Sequence, residues 1–255
     1  MISRKLIDKT NECYKKALAH ADTKKVIINP SLPILYFGDL ITYEKSKIKI
    51  VTVGKNPSDR EFRLGKNDPF SFVRFPLWNV KKQNLTETLN DYFKEKPLNW
   101  FSCYEPVLNR MSASYYPGNN HANTALHTDL CSPLATCPTW SKLTIKQQDS
   151  LFNEGYSIWK ELIEELQPDI MLVSFAKSSG LFRHICTDEG EVVTSFDKKK
   201  DGNLRKVTFI VTKHKYLLKN KKEVKVIFGY QEANKPFDRL SNGQREKIGE
   251  ELCRQ

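Results

Sequence analysis

Short runs of β-branched and apolar residues alternate with helix-period segments along this chain, and that alternation limits the fold more than any other feature. The runs are 48–53 (IKIVTV), a strand within 123–133 that ends near Asp129, 168–177 (PDIMLVSFAK), 206–214 (KVTFIVTKH) and 223–230 (EVKVIFGY). Helical periodicity marks 3–21, stretches within 84–94 and 96–111, then 144–166, 178–186 and 241–253. In 144–166, Leu151, Ile158, Trp159, Leu162, Ile163 and Leu166 fall on one face. Strands that alternate with helices pair mainly in parallel and are covered on both faces. The expected fold is therefore α/β, a three-layer α/β/α sandwich with a central, mainly parallel sheet. No internal repeat, low-complexity tract or Pro/Gly/Ser linker divides the 255 residues. One domain with an N-terminal helical extension is expected.

The strand ends direct attention to function. The run 48–53 breaks into Gly54, Lys55, Asn56, Pro57, Ser58 and Asp59. These residue types dominate turns, so a plain turn is one explanation. Other strands also end in polar or small residues, at Asp129–Ser132, Lys177–Ser179 and Gly229–Gln231. In a parallel sheet such ends converge on one edge, where ligands bind. The convergence favours an active-site loop at Asn56.

Charge narrows the partners. With 41 Lys and Arg against 30 Asp and Glu the net charge is +11, which suits a polyanion, most often nucleic acid. Lysines cluster at 213, 215, 219, 221, 222 and 225, with His214 and Tyr216 among them. A phosphate-contacting surface and a hairpin edge guarded by lysine fit this pattern equally well. The hydrophobic fraction of 39% is enough for a core. No apolar run approaches the ~18 residues needed to cross a bilayer, and the N-terminus lacks a signal-peptide pattern. Six scattered cysteines without a C-x-x-C pair argue against zinc or an iron–sulfur cluster and fit a reducing cytoplasm. No metal or cofactor is expected, and the chain is read as a monomer.

Four segments, taken together, resemble the uracil-DNA glycosylase superfamily. VTVGKNPSD (51–59) resembles its first motif in the G-x-N-P form. TDLCSPLATCPTW (128–140) resembles the segment that reads the base. EGYSIWKELIEELQPDIMLVSFAKSSGLF (154–182) resembles the long helix and third strand, and VKVIFGYQEANKPFDRLSNGQREKIGEEL (224–252) stands where the last strand, the DNA-inserting loop and the terminal helix belong. The resemblance implies an α/β/α fold and hydrolysis of the N-glycosidic bond of a flipped base in DNA. It also implies that Asn56 orients the attacking water, that Asp129 meets the base, and that an aromatic in the loop 60–82 stacks on it, with Phe70, Phe72, Phe75 and Trp78 as candidates. The chain departs from the family at the last motif, where Gly229-Tyr230-Gln231 replaces His-Pro-Ser. It also lacks the four-cysteine cluster of the thermostable branches.

The chemistry of these residues is consistent with that expectation. Breaking the bond creates a sugar cation and an anionic leaving base, so the site must exclude bulk water and position one molecule. Asn56 has a neutral amide and can orient water through its carbonyl oxygen. Gly54 permits close approach and Pro57 fixes the loop. Asp59 is a helix cap or a second water-orienting group, the cap being favoured. An ionised Asp129 only accepts hydrogen bonds, which suits the 4-amino group of cytosine and not the 4-oxo group of uracil. A strand-end turn or structural ion pair is the plainer role for Asp129. Lys55, Arg74, Lys81, Lys213, His214, Lys215, Tyr230 and Gln231 are candidate DNA contacts.

Cytosine itself cannot be the target without destroying the cell's DNA, so a modified cytosine is expected. Glucosylated hydroxymethylcytosine, carried by some phages, leads, because some anti-phage glycosylases of the resembling superfamily act on it. Repair of uracil or mismatches is one alternative. A magnesium nuclease is another, since Pro168-Asp169 and Glu223-Val224-Lys225 imitate a PD…E-x-K site more than fifty residues apart. A non-catalytic DNA-binding module is a third. His121 and His127 are read as ordinary polar residues or distant pocket-lining candidates.

Overall fold

A computed structural model describes residues 2–65, 72–75, 78, 84–94, 99–116, 120–173, 175–230 and 237–254. In chain order the helices and strands are α1 (Arg4–Ala19), α2 (Leu40–Lys45), β1 (Ile50–Gly54), α3 (Asp59–Phe62), α4 (Leu85–Asn90), α5 (Glu105–Arg110), β2 (Ala113–Ser114), β3 (Asn123–Asp129), α6 (Ile145–Leu166), β4 (Ile170–Val173), β5 (Glu191–Lys198), β6 (Leu204–Leu217), β7 (Glu223–Tyr230) and α7 (Asn242–Arg254). The fold is α/β. Among the described residues seven strands form one mostly parallel sheet with helices in its connections, as a three-layer α/β/α sandwich requires. The chain divides into two compact units, Met1–Ile41 with Gly54–Glu95 and His127–Leu166, and Thr42–Val53 with Lys96–Leu126 and Gln167–Gln255.

In the first unit, α1 packs on α6. The Ser3 hydroxyl accepts from Leu6 N (3.2 Å) and caps the helix, while Leu6, Thr10, Cys13 and Ala17, spaced three or four apart, form its buried face. Lys9 Nζ reaches Glu161 Oε1 at 2.6 Å across the helix pair. The face expected of 144–166 is the one α6 buries. Gly155 is needed there, because a Cβ would strike the Cys131 carbonyl and come within 2.7 Å of Ser132 Cα. This close approach seats the segment that follows β3.

The strand order of the sheet is β2-β3-β1-β4-β7-β6-β5. β1, β4 and β7 run parallel, so their carboxyl ends share one edge. β6 returns antiparallel to β7, and β5 antiparallel to β6. All five residues of β1 are buried, which is why it reads as a continuous apolar run, and all seven of β3 are buried although five of them are polar. β5 is mostly exposed and interrupted by register shifts, as suits an edge strand. The helix expected at 178–186 is two short 3-10 turns, because Gly180 breaks it with a φ of 69°. Register also locates the lysines. Ile50 lies opposite Ile170, Ile170 opposite Lys225, and Lys225 opposite Lys215. Lys215 and Lys225 therefore share the rung on which β1 begins, whereas Tyr230 lies past the rung of Val53 at the carboxyl end.

Candidate functional site

Beyond β1 and β3 the first unit brings two loops side by side. Leu130 N donates to Gly54 O (3.0 Å) and Cys131 N to Lys55 O (2.8 Å), so the chains continue their pairing after the strands end. Ser58 bridges to Thr136 in parallel fashion. Between them Asn56 is fixed by its amide nitrogen, which donates to Thr136 Oγ1 at 2.9 Å and to Pro57 O at 3.2 Å. With Nδ2 tied down, Oδ1 is the end left to meet a water or a ligand. Pro57 is buried and Lys55 half-buried.

Gly54 is where the two loops come closest. A Cβ there would lie 2.6 Å from Asp129 Oδ1 and 2.9 Å from His127 Nε2. Only glycine fits against those two side chains. Residues 54 and 56 are two apart, so their Cα atoms are separated by at most about 7 Å. Asn56 and Asp129 are thus within the span of one nucleotide.

The Asp129 side chain is 4% exposed. Among the described residues no hydrogen-bond donor holds it. Its neighbour is His127, whose Nε2 stands 3.4 Å from Oδ1. A nearly buried carboxylate with few donors favours a ligand N–H that can reach it. Burial, with the charge of Asp129 added, pushes the Cys131 thiol up, so it stays protonated beside the carboxylate.

An aromatic group backs the pair. Phe37 exchanges two backbone hydrogen bonds with His127 (2.8 and 3.0 Å), and the two rings are 5.1 Å apart. Phe37 stands edge-on to Tyr92, and Phe62 and Phe75 extend the cluster. Beneath it Glu61 accepts from Arg74 Nε at 3.0 Å, from its Nη2 at 2.5 Å and from Tyr92 Oη at 2.7 Å. Burial and the Glu61 charge hold the Tyr92 hydroxyl far above its ordinary pKa, so it remains a donor.

Several sequence expectations change here. Arg74 is 9% exposed and committed to Glu61, so it is an internal brace and not a phosphate contact. Ser58, whose hydroxyl accepts from Arg60 N (3.2 Å), caps α3, and Asp59 is that helix's first residue. Phe72 and Phe75 are buried, Phe75 within the aromatic cluster, and Trp78 is half-buried. Phe70, Lys81 and Gln231 lie outside the described residues.

His214 also turns inward. It is 5% exposed, with Nδ1 2.5 Å from Asp188 Oδ1 and Nε2 2.8 Å from Thr212 Oγ1, so it is no surface group for DNA. Lys213 pairs with Glu191 and Lys215 with Glu223, on the flank of a cleft of about 330 Å³. Tyr230 is half-buried against Phe228. Asp169 and Glu223, the carboxylates of the nuclease-like pattern, are bound by Lys222 and Lys215. Among the described residues no three His, Cys, Asp or Glu gather as a metal site, and no helix is long and apolar enough to cross a membrane.

Sequence reasoning treated His127 as peripheral. The signal for it was the period of two along β3, which puts 127 and 129 on one face. Fold and site together define an α/β protein whose polar groups gather just beyond the ends of β1 and β3. No protein-family model matches the chain, and no curated protein matches it.

Proposed function

We propose that the chain is a monofunctional DNA glycosylase of the uracil-DNA glycosylase kind, acting in the cytoplasm as a monomer on a flipped, modified cytosine. Glucosylated hydroxymethylcytosine in phage DNA is the leading substrate, and defence against such phages the role. The observation that carries this reading is the buried Asp129 carboxylate. It has no donor among the described residues and lies against Gly54, within a nucleotide's span of Asn56. A cytosine 4-amino group supplies the missing N–H, whereas the 4-oxo group of uracil repels the carboxylate.

In the proposed reaction the C1′–N1 bond breaks and its electron pair leaves with the base. A water held by Asn56 Oδ1 adds to C1′ and gives up a proton, and the departing base anion takes up a proton from solvent, leaving an abasic sugar and a neutral free base. Thr136 fixes the Asn56 amide so that its oxygen faces the water. Extruding the base costs a few kcal/mol, offset by contacts in the pocket. The +11 charge supplies attraction to the phosphates, with Lys55 the nearest cation to the site by sequence.

The test is Asn56→Ala, assayed by single-turnover excision and by DNA binding in EDTA. The expected result is a rate loss of about a hundredfold or more with binding retained, since water positioning is removed and phosphate contact is not. Equal losses of rate and binding would make Asn56 structural. Strand cleavage that requires magnesium would replace the glycosylase reading by a nuclease.

A further inference from the structure

We infer that the turn of the β5–β6 hairpin is a contact surface for the phosphate backbone of DNA, with Lys198, Lys199, Lys200 and Lys206 as its cations. The inference rests on DNA being the partner, as proposed above, and adds the surface that grips it. It does not depend on which base is removed.

From 197 to 206 the sequence reads DKKKDGNLRK, five cations against two carboxylates. Lys198, Lys199, Lys200 and Lys206 are exposed, and among the described residues no carboxylate pairs with any of them. The two acids are engaged locally. Asp197 Oδ1 accepts from Thr208 Oγ1 (2.5 Å) and Asp201 Oδ1 from Asn203 N (3.1 Å). Lysines farther along the same hairpin differ, since Lys213 pairs with Glu191 and Lys215 with Glu223. The uncompensated charge of the hairpin therefore lies at its turn.

The turn is held stiffly. Lys199 N donates to Asn203 O (2.7 Å) and Gly202 N to Lys199 O (3.1 Å), with Gly202 in the left-handed region at a φ of 85°. At the base, Lys198 O accepts from Arg205 Nε and from Gln244 Nε2, both at 2.8 Å, and Arg205 Nη2 donates to Arg239 O at 3.1 Å. Gln244 belongs to α7, so the hairpin is tied to that helix. A fixed platform has less freedom to lose on binding than a mobile tail.

Register sets where the platform points. Ile210 lies opposite Tyr230, the last residue of β7, so Leu204–Phe209 run on past the carboxyl end of that strand. Ligands of parallel sheets bind beyond that end. Lysines that merely guard a sheet edge stand on the edge strand. Lys199 and Lys200 lie outside both strands and guard none. A membrane-binding turn would put apolar side chains at its tip, whereas 199–203 are Lys-Lys-Asp-Gly-Asn. Duplex DNA, with one negative charge per about 1.7 Å of axis, fits a rigid cluster of unpaired cations.

The experiment measures binding of the full chain to a short unmodified duplex by fluorescence anisotropy, at salt from about 50 to 200 mM. Lys198→Gln, Lys199→Gln, Lys200→Gln and Lys206→Gln combined should weaken binding at least about tenfold. The slope of log K against log salt should flatten by about 2 or more, since each lost phosphate contact removes about 0.9. Lys5→Gln, Lys15→Gln, Lys24→Gln and Lys25→Gln combined remove equal charge from other exposed positions and should change the slope by less than about 1. Equal effects from the two variants, or an unchanged slope in the hairpin variant, would overturn the inference. If the hairpin variant does not fold, lysine acetylation of the wild type decides. Bound duplex should shield the four hairpin lysines, and equal labelling with and without DNA overturns the inference. Tighter binding to phosphatidylserine vesicles than to duplex, lost in the hairpin variant, overturns it in favour of a membrane. A wild type that binds duplex through the hairpin yet makes no abasic sites in modified-cytosine DNA supports the inference and overturns the excision reading alone. A wild type that binds no duplex overturns both.

Discussion

Gly54→Ala tests whether the meeting of β1 and β3 is as tight as the geometry requires. The new methyl carbon would sit 2.6 Å from Asp129 Oδ1, against an ordinary contact of about 3.4 Å, so the carboxylate must retreat by about 0.8 Å. His127 Nε2, at 2.9 Å, must move by about 0.5 Å, and its backbone is locked to Phe37 on both sides. Overpacking of this kind costs about 1–3 kcal/mol. At about 2–4 °C per kcal/mol for a chain of this size, the melting temperature should fall by roughly 2–12 °C. Excision should fall much further, because the displaced group is the one proposed to meet the base. Gly243→Ala is the control: nothing lies within 4 Å of its Cβ, and it sits in α7, so it should be neutral or slightly stabilising. Thermal melts and single-turnover rates on both variants decide the matter. A Gly54→Ala protein that melts with the wild type and keeps its rate would refute the tight apposition.

Glu61→Ala should cost about 3–5 kcal/mol in a urea melt, because it leaves the Arg74 guanidinium buried without its carboxylate; a loss under about 1 kcal/mol would show that Arg74 escapes to solvent. Cysteine alkylation should separate the thiols by burial. At pH 8 iodoacetamide should label the exposed Cys137 and Cys253 and spare Cys13 and Cys186, whose pKa values burial pushes up to about 12. The reactive thiolate forms only as pH rises toward a group's pKa, so at pH 8 the buried pair is about one part in ten thousand thiolate. Fast labelling of Cys13 in the folded protein would contradict its place under α6.

What could be read from the sequence follows burial. β1 is buried throughout, so its apolar run is legible, and the end of β3 at Asp129 agrees with the expected one. β5 was missed because it is an exposed edge strand whose EVVTSFDK reads like the polar loop beside it. β6 begins at Leu204, earlier than the expected 206, for the same reason. Arg74 looked like a surface cation, since its carboxylate lies thirteen residues upstream and reaches it only when the loop folds back. His214 was misjudged similarly. Its partner Asp188 is on a distant segment, and Gly190 leaves the space that the imidazole fills. Local pattern foresaw β1, β3, β6 and β7, missed the two-residue β2, and overran β4, which spans Ile170–Val173 and not 168–177; the side-chain pairings around them depend on contacts between segments far apart in sequence.

The most direct test of the central claim offers the purified protein four DNAs in EDTA: uracil-containing, unmodified, hydroxymethylcytosine-containing and glucosylated. Abasic sites are then counted for the wild type and for Asp129→Asn. The account predicts abasic sites in modified-cytosine DNA alone, with the glucosylated DNA the best substrate, and their loss in Asp129→Asn, whose amide can no longer act purely as an acceptor for the 4-amino group. Abasic sites confined to uracil-containing DNA, unchanged by Asp129→Asn, would contradict it.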